Sequence, residues 1–228
     1  MKLMVVDTAL GLCTVGVFAV DERGARPLGL RSEPMVKGHS ERIAGFARDA
    51  AGQAGLDFAD LDRIGVTVGP GSFTGLRVGL AFAQGLAAAL DRPVVGVSAL
   101  DALAASAGEA TEVAALIDAR RGQVYARFWR DGEADGAAEA LTLEAAAARI
   151  GTMGEGAVLV GSGAALFADG SPERTILSLD GPAPEALARL AATADPAAAP
   201  ARPLYLRAPD ATPPTRLLGQ ARGPVRVP

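Results

Sequence analysis

Residues 66–79, VTVGPGSFTGLRVG, constrain this chain more than any other stretch. Ile64 to Val68 is a short apolar run that reads as a buried strand. Beyond Thr74, placed to cap it, a helix runs to Leu90 with Leu76, Leu80, Ala83, Ala87 and Leu90 as its apolar seam. A strand that turns through glycine straight into a helix belongs to an α/β fold. The glycines have two physical readings. They can let backbone N–H groups converge at the positive end of the helix as an anion site. They can equally permit a tight turn and close helix packing. The Lys-Ser/Thr pair of a P-loop is absent, so no side chain stands ready for a terminal phosphate and magnesium.

The surrounding pattern places this unit. Lys2 to Val6, Cys13 to Val20 and Leu28 to Met35 read as a β-meander, with Asp21-Glu22-Arg23-Gly24 as a hairpin signal. A helix follows, capped at Ser40 and stopped by Gly55, with Ile43, Phe46, Ala47, Ala50 and Ala54 on one face. After the glycine passage come a strand at Pro93 to Val97 and a helix capped by Ser98, with Asp101 at the capping-box position. The second half opens again with paired strands, Glu112 to Ile117 and Gln123 to Arg130, around the hairpin loop Asp118-Ala119-Arg120-Arg121-Gly122. A helix from Thr142 to Ile150, a strand at Ala157 to Val160 and a helix at Pro184 to Thr193 complete the pattern. From Pro196 onward lie eight of the 15 prolines, which predicts an extended or mobile tail. The expected division is residues 1–105, residues 106–200 and a Pro/Arg-rich tail, 201–228.

Counts of a few residue types exclude whole classes of chemistry. His39 is the one histidine and Cys13 the one cysteine, so HExxH or HxxxH metal sites, thiolate clusters and internal disulfides are ruled out. The last 28 residues carry five arginines against Asp210, leaving a net charge of about −8 on the rest, a poor sequence-independent binder of nucleic acid. Val78 to Leu90, broken by Gln84 and glycines, is expected to be too short to span a bilayer, and Lys2 leads into only four apolar residues before Asp7. The expectation is a soluble cytoplasmic protein with no membrane partner.

GPGSFTGLRVG after a strand resembles the signature of the TsaB (YeaZ) family, bacterial proteins required to make threonylcarbamoyladenosine on tRNA. The likeness extends to Asp7-Thr8, Gly38-His39-Ser40-Glu41, the stretch from Ser98 to Ala104, the stretch from Ile117 to Tyr125 and Pro203-Leu204-Tyr205-Leu206-Arg207. The resemblance implies an actin-like ATPase (ribonuclease H-like) fold, two mixed α/β domains whose sheets are flanked by helices. It implies a non-catalytic scaffold for a TsaD-like transferase acting on tRNAs that read codons beginning with A. A TsaE-like ATPase would be a further partner, the chain would form a homodimer when alone, and tRNA would be met only through the complex. TsaD works through metal-bound histidines; here only His39 stands at the matching helix start and position 43 is Ile43, so no catalytic metal is expected.

Two sets of residues follow as candidates. Ile43, Phe46, Ala47 and Ala50, with Gly75, Gly79 and Phe82, are the expected partner surface, because small residues four apart let helices approach closely. Asp7, Thr8, Gly69, Gly71, Ser72, Gly161 and Gly163 are candidates for anion or nucleotide loops, with ATP or ADP at the junction with the partner the one cofactor in view. Asp7 could hold a hydrated metal near phosphates or simply cap a turn, and it lacks the Gly-Thr turn that follows in actin-like ATPases. Asp118, Arg120 and Arg121 read as a solvated tip or a functional contact. The competing function is a stand-alone ATPase or sugar-kinase-like enzyme; a metallopeptidase fails on the histidine count.

Overall fold

The structure, a computed structural model, describes residues 1–207. The meander forms as expected, as β1 (Lys2–Asp7), β2 (Leu12–Asp21) and β3 (Gly24–Pro34). Helix α1 (His39–Ala54) leads to β4 (Arg63–Gly69), α2 (Phe73–Leu90), β5 (Val94–Ser98) and α3 (Ala99–Ala105). The first sheet runs β3-β2-β1-β4-β5, antiparallel through the meander and parallel from β1 to β4 to β5. β1 is apolar at every position from Leu3 to Val6 because both faces of the sheet are covered. Met4 and Val6 pack under α1 and α2, while Leu3 and Val5 face the opposite layer.

The second sheet is built from β6 (Val113–Asp118), β7 (Gln123–Arg130), β8 (Glu133–Ala134), β9 (Glu139–Thr142), β10 (Val158–Val160) and β11 (Thr175–Leu177). Its order is β11-β10-β6-β7-β8, with β9 also paired to β7. Helix α4 (Leu143–Gly151), capped by the Thr142 hydroxyl, covers one face through Ala146 and Ile150. The other face packs on α3, so that Leu100 and Leu103 meet the second sheet while Ala102 on the same helix meets the first. Mixed sheets flanked by helices, twice over, are the architecture the resemblance implied.

Several local expectations change. α1 starts at His39 after Gly38, whose φ of 88° sets the turn; Ser40 is already inside the helix and caps nothing. α2 is capped by Ser72, not Thr74: the Ser72 Oγ accepts the Gly75 N–H at 3.2 Å. β8, β9 and β11 were not foreseen, since runs of two to four residues such as Glu-Ala-Leu-Thr carry little strand pattern and exist by pairing with a neighbour. α2, with 18 residues, is long and apolar enough to cross a membrane by length and composition alone. Its Leu76, Leu80, Ala83 and Ala87 are spent on the protein's own core.

Helix α5 (Pro184–Thr193) follows the second sheet in sequence yet packs on the first. Leu187, Ala188 and Ala191 close the face opposite α1 and α2. The Arg63 guanidinium pins its end, one Nη1 donating to the carbonyls of Ala191, Ala192 and Ala194 at 2.8–2.9 Å. Residues 199–207 then run along the first lobe, bonded Gly96 N–H to Ala199 O and Leu204 N–H to Val68 O, with Ala201 buried. They end on the second lobe, where Arg207 donates to Ala119 O at 3.2 Å and to Gln123 Oε1. The start of the expected tail is therefore a strap across both lobes; the tail beyond Arg207 lies outside the described residues.

Candidate functional site

Asp7 ends β1 where the two lobes meet. Its Oδ1 accepts the Thr67 hydroxyl at 2.6 Å and the Ala9 N–H at 3.0 Å, and the residue is 2% exposed. Its Oδ2 and the Nε2 of His39 are both buried with no hydrogen-bond partner. Burial holds the Asp7 carboxyl above its ordinary range, against the lowering pull of the Thr67 and Ala9 hydrogen bonds and of His39. The Asp7 Oδ1 is thus committed to the turn after β1 and to β4, while Oδ2 stays unpaired. The turn-capping geometry is present at Oδ1.

The glycine passage resolves the same way. A Cβ on Gly71 would lie 2.2 Å from Ala9 O, on Gly75 2.1 Å from Thr8 O, and on Gly79 2.3 Å from Thr8 Oγ1. The three glycines let the start of α2 lie directly against the loop after β1, which takes up one amide and one carbonyl of the helix start. Ser72 N–H donates to Ala9 O at 2.7 Å, and the Thr8 hydroxyl donates to Gly75 O at 2.8 Å. Gly69 ends β4 at a φ of 104°. In the second lobe, Gly161 sits after β10 at a φ of 110°, and Gly163 donates its N–H to Leu116 O at 2.9 Å. These are packing contacts too.

Between the lobes lies a cleft of about 560 Å³ that brings His39, Gly71 and Ser72 opposite Asp118, Arg120 and Ser162, with Asp180 also in its wall. The hairpin tip has Arg120, Arg121 and Gly122 at φ of 61°, 55° and 70°, and Gln123 N–H to Arg120 O at 3.1 Å closes a turn whose left-handed central pair is Arg121-Gly122. Arg120, 86% exposed, pairs with its own neighbour Asp118 at 3.2 Å, and the Ser162 Oγ accepts the Asp118 N–H. The tip thus compensates Arg120 within itself. Among the described residues no three His, Cys, Asp or Glu come within reach of one ion.

The expected partner residues are mostly spoken for. Phe46, Ala47 and Ala50 are buried on the protein's own first sheet, Ile43 is buried there with an edge on the groove between α1 and α2, and Gly75 and Gly79 face the β1 loop rather than outward. The helices spend their apolar stripe covering the sheet before any partner arrives. Phe82 is half-buried and lines what remains, an apolar groove of about 560 Å³ between α1 and α2. Its wall also holds Ala44, Val78 and Ala81, and at one end Phe73, 52% exposed. Phe73, Arg77 and Tyr205 meet there. The sequence signal for Phe73 and Arg77 was their position outside the apolar seam of α2; Tyr205 carried none, since only the strap brings it near.

Comparison with known proteins adds the following. The family described as "TsaD: tRNA N6-adenosine threonylcarbamoyltransferase" matches residues 24–156. The chain is 36% identical over 135 residues to the tRNA threonylcarbamoyladenosine biosynthesis protein TsaB of Escherichia coli (strain K12), a match covering 58% of this chain and 56% of that protein. The chain thus spans little more than half the length of that relative. It is 35% identical over 217 residues to a Mycobacterium tuberculosis protein described as uncharacterized, covering 92% of this chain and 94% of that one. Among solved structures, a Pseudomonas aeruginosa protein described as similar to peptidase YEAZ superimposes with a TM-score of 0.73 at 31% identity, covering 90% of this chain and 99% of that chain. A second, described as YeaZ from Pseudomonas aeruginosa, gives 0.71 at 29% identity with the same coverage.

Proposed function

Because the chain belongs to the TsaB (YeaZ) family, we propose that it takes part in the biosynthesis of threonylcarbamoyladenosine on tRNA, as a non-catalytic subunit supporting a TsaD-like transferase. The observation that carries the subunit reading is the sealed end of β1. Asp7 is buried with its Oδ1 engaged by Thr67 and Ala9, while the loop amide of Ser72 is bonded to Ala9 O. That arrangement takes up the Asp7 Oδ1 and the Ser72 amide before any ligand arrives. A nucleotide that takes part in the reaction is held at the junction with a partner, and a TsaE-like ATPase supplies any hydrolysis. The partner surface is the groove between α1 and α2, where apolar area remains uncovered.

Depleting the chain in its host and measuring threonylcarbamoyladenosine in hydrolysed tRNA by mass spectrometry tests the pathway. The modification is expected to fall, and an unchanged level overturns the assignment. The non-catalytic half is tested separately, by offering the purified chain magnesium and ATP. Sustained hydrolysis without partners would overturn it and restore the ATPase reading.

A further inference from the structure

We propose that Arg207 is a latch that holds the two lobes at a fixed opening, and that its release lets the second lobe swing away and widen the cleft. Before the strap, the chain passes between the lobes twice, at residues 106–112 on the way to β6 and at residues 178–183 on the way back to α5. The two crossings touch where the Ala183 N–H donates to the Ser106 Oγ at 2.9 Å, the side-by-side arrangement of a hinge. The Arg127–Asp101 pair, at 2.6 Å, ties β7 to α3, whose C-cap is Ser106, so it acts close to that hinge.

The strap makes a third crossing of a different kind. It is fastened to the first lobe by Gly96 N–H to Ala199 O at 2.9 Å, by the Gln84 amide to Ala201 O at 2.7 Å and by Leu204 N–H to Val68 O at 2.7 Å. Leu206 then packs against the apolar cluster that joins the lobes. Arg207 reaches the second lobe, donating to Ala119 O at 3.2 Å and to Gln123 Oε1, with its guanidinium 5.7 Å from the Tyr125 ring centroid. Ala119 and Tyr125 both line the cleft. A segment fastened to one lobe thus grips the cleft wall of the other.

Position gives this grip its effect. Ala119 follows β6, a strand of six residues, so the grip lies about 20 Å beyond the first crossing. A bond that far from a hinge opposes rotation with a long arm. Chemistry makes it releasable. Both acceptors are uncharged, and among the described residues Arg207 meets no carboxylate, the bidentate partner that holds an arginine most firmly. Arg207 is half-buried and belongs to neither sheet, so it can let go without disturbing either core.

The test places pairs of spin labels on the full chain and reads their separation by pulsed electron resonance. Cys13, the one native cysteine, is buried and its thiol is pushed up to about 11, so introduced cysteines take the labels. One pair, Val36→Cys with Ala148→Cys, joins the exposed lip of the first lobe to helix α4 in the body of the second. The other, Val36→Cys with Arg120→Cys, reads the hairpin tip. A rotation of about 10° carries a point about 20 Å from the hinge by about 3 Å. Adding Arg207→Ala is expected to lengthen and broaden both distributions by that amount or more. Gln123→Ala removes one acceptor from the opposite side and should shift both pairs the same way by less, which keeps the test open if the position 207 variant does not fold. Distributions that neither variant changes overturn the latch and leave the lobes held by α3 and α5. A shift confined to the hairpin pair overturns it as well, because Arg207 then steadies the hairpin and not the lobe.

Discussion

A glycine's value in this chain depends on what its missing Cβ would meet. On α2, Gly75 and Gly85 are alike in sequence and opposite in space: a Cβ at Gly75 would lie 2.1 Å from a backbone carbonyl, while at Gly85 nothing lies within 4 Å. Gly75→Ala is expected to destabilise by about 2 kcal/mol, because the obstacle is backbone and cannot rotate away. Gly85→Ala should stabilise by about 0.5–1 kcal/mol through helix propensity alone. Urea denaturation of the two variants reads both signs. Gly79, expected from the sequence as partner surface, faces Thr8 instead, so Gly79→Arg is expected to be a folding lesion. Asp7 makes a prediction in pH. Its folded pKa is raised, so the folded state holds the proton more tightly than the unfolded chain does. That contribution is present in full below the ordinary carboxylate pKa near 3.8 and is lost as pH rises through the folded value. Asp7→Asn cannot ionise and still accepts from Thr67 and Ala9. Its stability relative to wild type should therefore improve from pH 4 to pH 8, by about 1.4 kcal/mol for each pH unit separating the two pKa values. A relative stability that falls over that range would show the carboxylate to be the favoured form.

Among the elements, α5 shows how a helix is assigned by chemistry rather than by order. Its Ala-rich face and Leu187 suit either sheet, and it follows the second. What holds its C-terminal end on the first is Arg63, whose single guanidinium nitrogen accommodates three of the carbonyls that a helix end leaves unpaired. Arg63→Met keeps the apolar stem and removes the donors. It is expected to cost about 1–3 kcal/mol and to speed hydrogen exchange in the last turn of α5 more than elsewhere. Exchange that rises evenly across the first lobe would show Arg63 to act on β4 instead. α1 and α2 give the complementary lesson. Their apolar periodicity was read as partner surface, yet the same stripe was needed to cover Met4, Val6, Val15 and Val17 of the first sheet.

For the molecule as a whole, the strap is the element that joins the lobes without belonging to either sheet. Ending the chain after Pro196, compared with ending it after Arg207, removes buried Ala201, the Leu204 and Gly96 backbone bonds and the Arg207 link to the hairpin. The shorter chain is expected to lose about 3 kcal/mol, on the order of 10 °C in Tm. Equal melting of the two truncations would show the strap to be a passive lining. Much of the architecture was legible beforehand because it is written in local pattern. The meander, the strand-glycine-helix unit, Gln123–Arg130 as a strand and Pro184–Thr193 as a helix follow from periodicity, caps and breakers, which act within a few residues. The sequence by itself also determined the poverty of imidazole and thiolate ligands, since one histidine and one cysteine are counts that no fold can change. Which way each apolar face points was decided only by the tertiary structure. A stripe has the same spacing whether a sheet or a partner covers it, and a glycine reads the same whether its space is taken by an anion or by the Thr8 carbonyl. Tyr205 comes to rest beside Phe73 and Arg77 because Ala199, Ala201 and Leu204 bond across elements distant in the chain, and no local pattern encodes contacts at that separation.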